Sequence, residues 1–534
     1  MGAYDAYAPV GAPPQEDGIY NYGERPRRDA SWGAVYLVTL AATVGLAVYA
    51  GANKNPDYDK LASSESLHSY ATCSADVAGT QRFGAASQGS DDIDVDHWLA
   101  RAKGWLAISA AGSFVIGLAF LYLFKNHART MVKVVCFLKV ASLVAMGAVC
   151  LANGAGLGAL VCMVLALLMV WVFWMWRVEL EMCARLLAVS AAGLQDNPAL
   201  AGTVVAIKLG LLAVLVPHAA GIALGFMNGE PAKSPEVASV SGNTCYDQSG
   251  QEVDCCVWQP EGWVPAYVAL ACFSGLWSAM LAFDLRLYTI AGSITQWYFA
   301  PQGSSTAGST MRSLRHGLGA SFGTICLGSL VLAVIEILRQ MNEAARRQSR
   351  RQGGFAAVLG CIISSFIACI YTVIEFLSKF AIIQAAITGD AFCDAARSVT
   401  DLLKRNFLAS YSVWWVPPMV LHTTSFLLAA FWGLVAGWMS HHAFDGDKDH
   451  TSEAVLVGVV AFLCAALVLS FFNSLLLNIV DTVFVCFATD KDRAMCTKAE
   501  VHEIFAVVPV TIGPVVEQPD GGIAYAPPPR VPEA

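Results

Sequence analysis

Residues 157–176, LGALVCMVLALLMVWVFWMW, form a run of twenty amino acids without a charged side chain. A bilayer core of roughly 30 Å is crossed by about 20 apolar residues in an α-helix, so this run by itself predicts a transmembrane helix. The whole chain has the same character, because its 534 residues are 56% hydrophobic and 14% charged, with a mean hydropathy of +0.54. This composition predicts an integral membrane protein.

Further apolar runs of similar length occur along the chain, and together they predict about ten transmembrane helices. The predicted spans are residues 32–51, 105–124, 134–153, 157–176, 203–227, 263–288, 317–338, 355–388, 412–440 and 454–488. We therefore expect an all-α, polytopic helical bundle over residues 32–488, with two longer extracellular loops at about 52–104 and 228–262.

The two ends of the chain differ from this apolar region in composition. Residues 1–31 are rich in Pro, Gly and Tyr and lack the short apolar core and cleavage site of a signal peptide, so the first span is expected to be retained. Residues 489–534 end in a Pro-rich stretch that is poor in large apolar side chains. We expect both ends to be disordered cytoplasmic tails.

The orientation prediction comes from the Lys and Arg residues of the short loops. Basic residues precede the first span and follow the second, fourth, sixth, eighth and tenth, which predicts that both termini are cytoplasmic. We expect the membrane to be the plasma membrane. The basic run 339–351, RQMNEAARRQSRR, disagrees, since it would be extracellular in this count. Either the seventh span or its neighbours do not cross the membrane as counted here, or this run lies on a helix that projects clear of the membrane.

Most of the sixteen cysteines lie within apolar spans, where a free Cys acts as a small hydrophobic residue. The exceptions on the predicted outer side include Cys245, Cys255 and Cys256. Disulfides persist in that environment, so we expect Cys245 to pair with Cys255 or Cys256. The alternative that one or more of them are free stays open.

Four stretches in the second half of the chain carry a family resemblance. They are TIAGSITQWYFAP (289–301), RSLRHGLGASFGTICLGSLVLAVIEILRQ (312–340), AAITGDAFCDAARSVTDLLKRN (385–406) and VDTVFVCFATDKD (480–492). In these stretches the chain resembles the choline transporter-like family, solute carrier family 44. The residues that match the family pattern are Trp297, Tyr298, Gly328, Ser329, Gly389, Phe392, Cys393, Ala396, Asp481 and Phe484. The resemblance implies about ten spans and transport of choline or a related amine such as ethanolamine.

Choline is a quaternary ammonium ion without an N–H donor, so a site for it needs aromatic faces and an acid. The candidate aromatic residues are Trp277, Trp297 and Tyr298, and the candidate counter-charge is Glu336, which follows the small residues of its span. A packing role for Trp297 and Tyr298 stays open, as does an interfacial role for the tryptophans of residues 171–176.

Charged side chains within apolar spans are costly and therefore informative. Glu375 and Lys379 are spaced i,i+4, which predicts a mutually neutralising pair. Asp481 is expected at the cytoplasmic boundary, where its carboxylate can reach water or an arginine of residues 393–406. Together with Asp284, these residues are the candidates for gating or ion coupling.

Several classes of function are excluded or disfavoured. The formal net charge of -8 and the pI near 5.7 argue against nucleic acid as a partner. The sequence has no Walker loop, no HExxH motif and no GxSxG motif at a strand-to-helix turn, and we expect no cofactor, no metal and no enzymatic activity. Two alternatives to a transporter remain: a membrane scaffold that uses its tails, and an enzyme of phospholipid synthesis. The DGDKDH stretch lacks the Ala-Arg that a CDP-alcohol phosphotransferase motif requires.

Overall fold

The computed structural model describes residues 20, 22, 25–56, 58, 95–233, 245–246, 252–253, 256–301, 306–352, 354–443, 450–493, 495–506, 515–517 and 523–525. The helices of these residues are α1 Ala30–Ala52, α2 Val95–Ala152, α3 Gly156–Met175, α4 Arg177–Asp196, α5 Ala199–Phe226, α6 Val264–Phe299, α7 Ser309–Leu318, α8 Phe322–Gln352, α9 Gly354–Thr388, α10 Phe392–Arg405, α11 Phe407–Ala443, α12 His450–Asp492 and α13 Ala499–Ala506. The strands are β1 Gly229–Lys233, β2 Cys245–Tyr246, β3 Glu252–Val253, β4 Cys256–Pro260, β5 Val515–Glu517 and β6 Ile523–Tyr525.

The long helices present their large apolar side chains to the outside of the bundle. Helix α3 buries only Ala159 and Ala166, whereas Leu157 is 80% exposed and Leu167 68% exposed. This distribution suits a helix that meets lipid on most of its surface and packs through small residues. The prediction of an all-α polytopic membrane bundle is confirmed.

Nine helices of the described residues are long and apolar enough to cross a membrane, and one of them, Gly104–Ala152 within α2, contains two predicted spans. Its 49 residues would extend for roughly 74 Å as a straight helix, far more than one crossing needs. The backbone leaves helical values at His127 (φ -130°, ψ 23°), so α2 consists of two helical halves. With these halves counted separately, the prediction of about ten spans is confirmed.

The two halves of α2 meet beside α4. On one side of the bend, Lys125 donates a hydrogen bond to Gln195 at 2.7 Å. On the other side, Arg129 forms an ion pair with Glu181 at 2.7 Å. Both contacts hold the bend against the same amphipathic helix.

One end of the bundle lies next to both ends of the described chain, and we call it the terminal end. Tyr298, near the end of α6, donates a hydrogen bond to Asp490, near the end of α12. Asp29, immediately before α1, accepts one from Thr324 at the beginning of α8. The beginnings of α1 and α8 and the ends of α6 and α12 therefore meet at the terminal end.

Helix α6 occupies the centre of the bundle and packs against α5, α7, α8, α9 and α12. Every residue from Leu287 to Tyr298 is buried. Small side chains allow this close packing, since a Cβ atom on Gly292 would lie only 2.7 Å from the hydroxyl of Ser313 on α7. The central position of α6 places its polar side chains in the interior of the protein.

Short amphipathic helices line the terminal end. In α10 the buried residues include Ala395, Val399 and Leu402, which recur at helical spacing on one face. In α13 the ring of Phe505 stacks on Phe487 of α12 with a centroid separation of 4.1 Å. Their apolar faces fix these short helices to the spanning helices.

The described residues next to the first and last spans make specific contacts, although the sequence assigns them to the predicted tails. Residues 25–29 pack into the terminal end, and Arg25 is only 7% exposed. Helix α12 continues to Asp492, and α13 is docked on it. Farther along, β5 and β6 pair as an antiparallel ladder. These segments find polar and aromatic partners elsewhere in the bundle, which local composition does not reveal.

The basic run 339–351 lies on the continuation of α8. This helix extends over 31 residues, or roughly 46 Å, and therefore exceeds a bilayer core of roughly 30 Å. This length is compatible with the second alternative left open by the sequence, a helix that projects clear of the membrane. The predicted start of this span at residue 317 is five residues early, because α7 ends at Leu318 and α8 begins at Phe322.

The predicted extracellular loop at about 228–262 contains two small antiparallel ladders. In one, β1 pairs with β4 so that Lys233 lies opposite Cys256; in the other, Cys245 of β2 lies opposite Val253 of β3. The side chains of Cys245 and Cys256, and the whole of Cys255, lie outside the described residues. The disulfide therefore stays a prediction.

Candidate functional site

Asp284 is a fully buried carboxylic acid in the middle of the central helix α6. Neither of its carboxylate oxygens has a hydrogen-bond partner among the described residues. Burying an unpaired charge costs on the order of several kcal/mol, and ionisable groups retained inside membrane bundles usually mark substrate or ion sites. Asp284 is therefore the candidate cation-binding residue.

Four helices meet around the Asp284 carboxylate. A Cβ atom on Gly328 of α8 would lie 3.2 Å from Asp284 Oδ2, 2.8 Å from Ile382 Cδ1 and 3.0 Å from Phe392 Cε2. Ile382 belongs to α9 and Phe392 to α10. Glycine at position 328 thus makes room for the carboxylate where α6, α8, α9 and α10 converge.

Other polar atoms in the interior also lack partners among the described residues. They are the hydroxyl of Ser378 and the amide oxygen of Gln384 on α9, and the amide nitrogen of Asn478 on α12. Ser378 precedes Ile382 by one turn and shares its face of α9. Buried polar groups are normally satisfied, so these atoms are available to a polar ligand that reaches them.

Arg286 is the basic residue nearest to Asp284 along α6, but it forms no ion pair with it in the described part of the chain. Side chains two residues apart along a helix point in nearly opposite directions. The Arg286 guanidinium lies 4.9 Å from the ring centroid of Phe283. The Asp284 carboxylate is thus left without direct neutralisation.

Trp277 lies two turns before Asp284 on the same side of α6 and is buried. Its indole N–H donates to the carbonyl of Cys326 (3.2 Å) and the hydroxyl of Ser329 (3.1 Å), both on α8. Tyr36 of α1 contacts the ring edge to face, with centroids 5.3 Å apart. Trp277 is therefore a fixed aromatic wall beside the α6–α8 contact.

Trp297 and Tyr298 lie at the terminal end, away from Asp284, and both are engaged by the protein itself. The indole N–H of Trp297 donates to Asp196 at 3.0 Å, and the ammonium of Lys498 lies 3.3 Å from the ring centroid. Tyr298 donates to Asp490, which also accepts hydrogen bonds from Thr497. Of the two roles that the sequence left open for this motif, these contacts favour packing.

Lys498 is itself enclosed by this arrangement. Burial lowers the pKa of its ammonium, while the nearby carboxylates of Glu500 and Asp196 act in the opposite direction. The aromatic face that the sequence suggested for a substrate cation is thus already covered by a lysine of the chain.

Glu336 does not lie with the three aromatic candidates. Its carboxylate accepts a hydrogen bond from Gln340 at 2.8 Å and lies 3.6 Å from Arg339, and the side chain is 28% exposed. Arg339 also binds Glu375 at 2.5 Å. The predicted Glu375–Lys379 ion pair is therefore wrong, because Glu375 forms its ion pair with Arg339 on the neighbouring helix α8.

Lys379 forms an ion pair with Asp481, which joins α9 to α12. The Asp481 side chain is 8% exposed, and that of Lys379 is 27% exposed. The expected contact between Asp481 and an arginine of residues 393–406 is thus replaced by a lysine within the span. This pair is an inter-helix contact that a change in helix packing would have to break or preserve.

Arg25 is a residue of the site that sequence reasoning used only as a marker of orientation. Its guanidinium donates to the hydroxyl of Tyr288 at 2.7 Å and to the carbonyls of Ala386 (3.0 Å) and Ile387 (3.3 Å) at the end of α9. A cation at a helix C-terminus is favoured by the helix dipole and by the unsatisfied carbonyls. Gly389 follows with φ +81° and lies against the Arg25 side chain.

Asp29 binds the other two helices of the site. Its carboxylate accepts hydrogen bonds from the backbone N–H of Phe392 (2.9 Å), at the start of α10, and from the hydroxyl of Thr324 (3.1 Å) on α8. The sequence offered one signal for this contact, since an acid is a favoured partner of a free helix N-terminus, but it did not indicate which helix.

The apolar exterior, the helical crossings and the unpaired interior carboxylate define a polytopic integral membrane protein with an ionisable site in its core. The chain belongs to the family described as the plasma-membrane choline transporter, whose sequence model matches residues 160–492, more than half of the chain.

Individual relatives agree with this assignment over part of their length. A CTL-like protein of Dictyostelium discoideum is 25% identical over 240 residues, which cover 43% of this chain and 42% of the relative. Choline transporter-like 2 of Anopheles gambiae is 27% identical over 245 residues (46% and 30%), and Protein PNS1 of Gibberella zeae is 27% identical over 234 residues (43% of each). The matched part thus spans less than half the length of each of these relatives.

Proposed function

We propose that this protein transports choline or a related small amine, such as ethanolamine, across the plasma membrane by alternating access. The observation that carries the proposal is the buried, unpaired carboxylate of Asp284. Membership of the choline transporter family supports the substrate class. In this proposal residues 32–488 form the transporter domain and both termini face the cytoplasm.

The chemistry of choline fits an acid beside an aromatic wall. Its ammonium has no N–H to donate, so it is held by charge and by aromatic faces, each worth on the order of 2 kcal/mol when desolvated. Asp284 supplies the charge, and Trp277 is the aromatic residue on the same side of α6. Ser378 and Asn478 retain unused polar atoms that suit the substrate hydroxyl.

Alternating access requires contacts that hold the bundle closed and can be exchanged. The Lys379–Asp481 ion pair joins α9 to α12, and its role in this proposal is gating. Glu336 and Glu375 share Arg339 on the α8–α9 hairpin, so they serve the packing of that hairpin.

Uptake into proteoliposomes tests the proposal. Purified protein should take up radiolabelled choline or ethanolamine above protein-free liposomes and in preference to unrelated amines. Asp284→Asn keeps the shape of the side chain but removes its charge, and we expect uptake to fall at least about tenfold, corresponding to the loss of 1.4 kcal/mol. Glu336→Gln is the matched control, and we expect nearly unchanged uptake because Arg339 and Gln340 already engage this acid.

Two results would contradict the proposal. One is the absence of choline and ethanolamine uptake by the folded wild-type protein. The other is an Asp284→Asn protein that folds and transports with wild-type affinity and rate.

A further inference from the structure

We infer that Arg25 and Asp29 form a gate that closes the terminal end of the Asp284 site, and we call residues 25–29 the N-terminal clamp. The inference depends on the proposed function only for its effect on transport. It starts from the observation that the four helices that converge on Asp284 are the same four that the clamp binds.

Arg25 joins two of these helices. It binds Tyr288 on α6 and the carbonyls of Ala386 and Ile387 on α9. Tyr288 lies one turn after Asp284 toward the terminal end, and its hydroxyl in turn donates to Ser321 at 2.8 Å. Arg25 is therefore located on the direct route between Asp284 and the terminal end.

Asp29 joins the other two helices. It binds Thr324 of α8 and the first backbone N–H of α10, at Phe392. The ring of Phe392 is one of the groups that close around Gly328 beside Asp284. Release of Asp29 would free the helix start that positions this ring.

Within the clamp the Arg25 side chain is buried and Asp29 is partly buried, and both bind the helices through polar groups. Arg25 is 7% exposed, and its guanidinium lies 5.0 Å from the ring centroid of Tyr20, itself 2% exposed. The hydrogen bonds of Arg25 to Tyr288, Ala386 and Ile387 end on a hydroxyl and on carbonyls, and water can replace them when the segment moves away. Apolar side chains have no such substitute partner. The clamp therefore suits a reversible closure.

Thiol accessibility provides a test that does not need transport. Cys326 is fully buried on α8, two residues from Gly328, whereas Cys183 is buried on α4. In nanodiscs holding the full chain, we expect Arg25→Gln and Asp29→Asn to speed the labelling of Cys326 by a membrane-impermeant maleimide about tenfold, since 1.4 kcal/mol of lost closure free energy corresponds to tenfold. Cys183 should stay protected. Arg27→Gln, at an exposed position of the same segment, is the control and should label like wild type.

The outcomes separate a gate from a structural anchor. Faster labelling of Cys326 alone supports the inference. Equal labelling of Cys326 in wild type and both variants overturns it, and so does simultaneous exposure of Cys326 and Cys183, which would indicate general unfolding. If wild-type protein fails to transport choline but the Cys326 result holds, the proposed function fails and the gate stands.

Discussion

Lys379 and Asp481, 102 positions apart in the sequence, form an ion pair that ties α9 to α12 in the spanning part of the bundle. Removing one partner leaves a mostly buried charge unpaired, which typically costs about 3–5 kcal/mol, whereas replacing both by apolar residues is often nearly neutral. We therefore expect Lys379→Met to lower the free energy of unfolding strongly and Lys379→Met with Asp481→Leu to restore most of it. Unfolding of the purified variants in mixed detergent micelles measures both values.

The Arg339–Glu375 pair is the matched comparison, since its side chains are 34% and 51% exposed. Arg339 keeps Glu336 as a partner when Glu375 is neutralised, so Glu375→Gln should change stability less than Lys379→Met does. A Lys379→Met protein as stable as wild type would show that Asp481 has another partner or access to water.

We expect that even alanine is poorly tolerated at position 328. An alanine there would bring a methyl group within 2.8 to 3.2 Å of Ile382, Phe392 and Asp284, and such overpacking typically costs about 1–3 kcal/mol. We expect Gly328→Ala to lower choline uptake more than it lowers expression. Gly45→Ala on α1 meets no atom within 4 Å and should transport like wild type. Equal uptake by the two variants would argue against close packing around Asp284.

Gly389 and Gly154 provide a second pair of glycines, both with positive φ (+81° and +74°). Alanine at either position must adopt the left-handed conformation at a cost of about 1–2 kcal/mol. Only Gly389→Ala also presses on the Arg25 side chain, whose Cδ would be 3.0 Å away, whereas Gly154 has open space. We expect the larger loss of thermal stability for Gly389→Ala. A larger loss for Gly154→Ala would contradict the observed packing of Arg25.

The surroundings of His316 on α7 predict that the free energy of unfolding of the protein depends on pH. Burial, with the positive charges of Arg25, Arg312 and Arg315, lowers the pKa of His316 to about 4. The unfolded chain, with a pKa near 6.5, binds the proton more readily, so the free energy of unfolding should decrease as the pH falls from about 6.5 to about 4. His316→Gln should flatten the unfolding curve in this window, as measured by thermal unfolding at successive pH values. An unchanged pH profile in the variant would assign the effect to other groups.

The sequence predicted the spans well because hydrophobicity over 20 residues is a local property, and each run of low charge became a helix. The ion-pair partners of the charged residues could not be predicted in the same way. The i,i+4 spacing of Glu375 and Lys379 favoured a pair on one helix, yet each found a closer partner on a neighbouring helix.

The same difference between local properties and contacts between helices applies to the site residues. Asp284 was recognised as a charge within a span, but its lack of a partner depends on which residues of α8, α9 and α10 surround it. The contact between Arg25 and Tyr288 joins positions 263 residues apart, and a basic residue before a first span has an ordinary explanation in membrane orientation. The matched motif at Trp297 and Tyr298 located a packed junction rather than the unpaired acid.

The position of Arg25 also has a consequence for the order of events during synthesis. The carbonyls that Arg25 binds emerge from the ribosome about 360 residues after Arg25 itself. At translation rates of about 5–20 residues per second, that interval lasts roughly 20–70 s. The segment around Arg25 must therefore wait without these native partners until the end of α9 has been made.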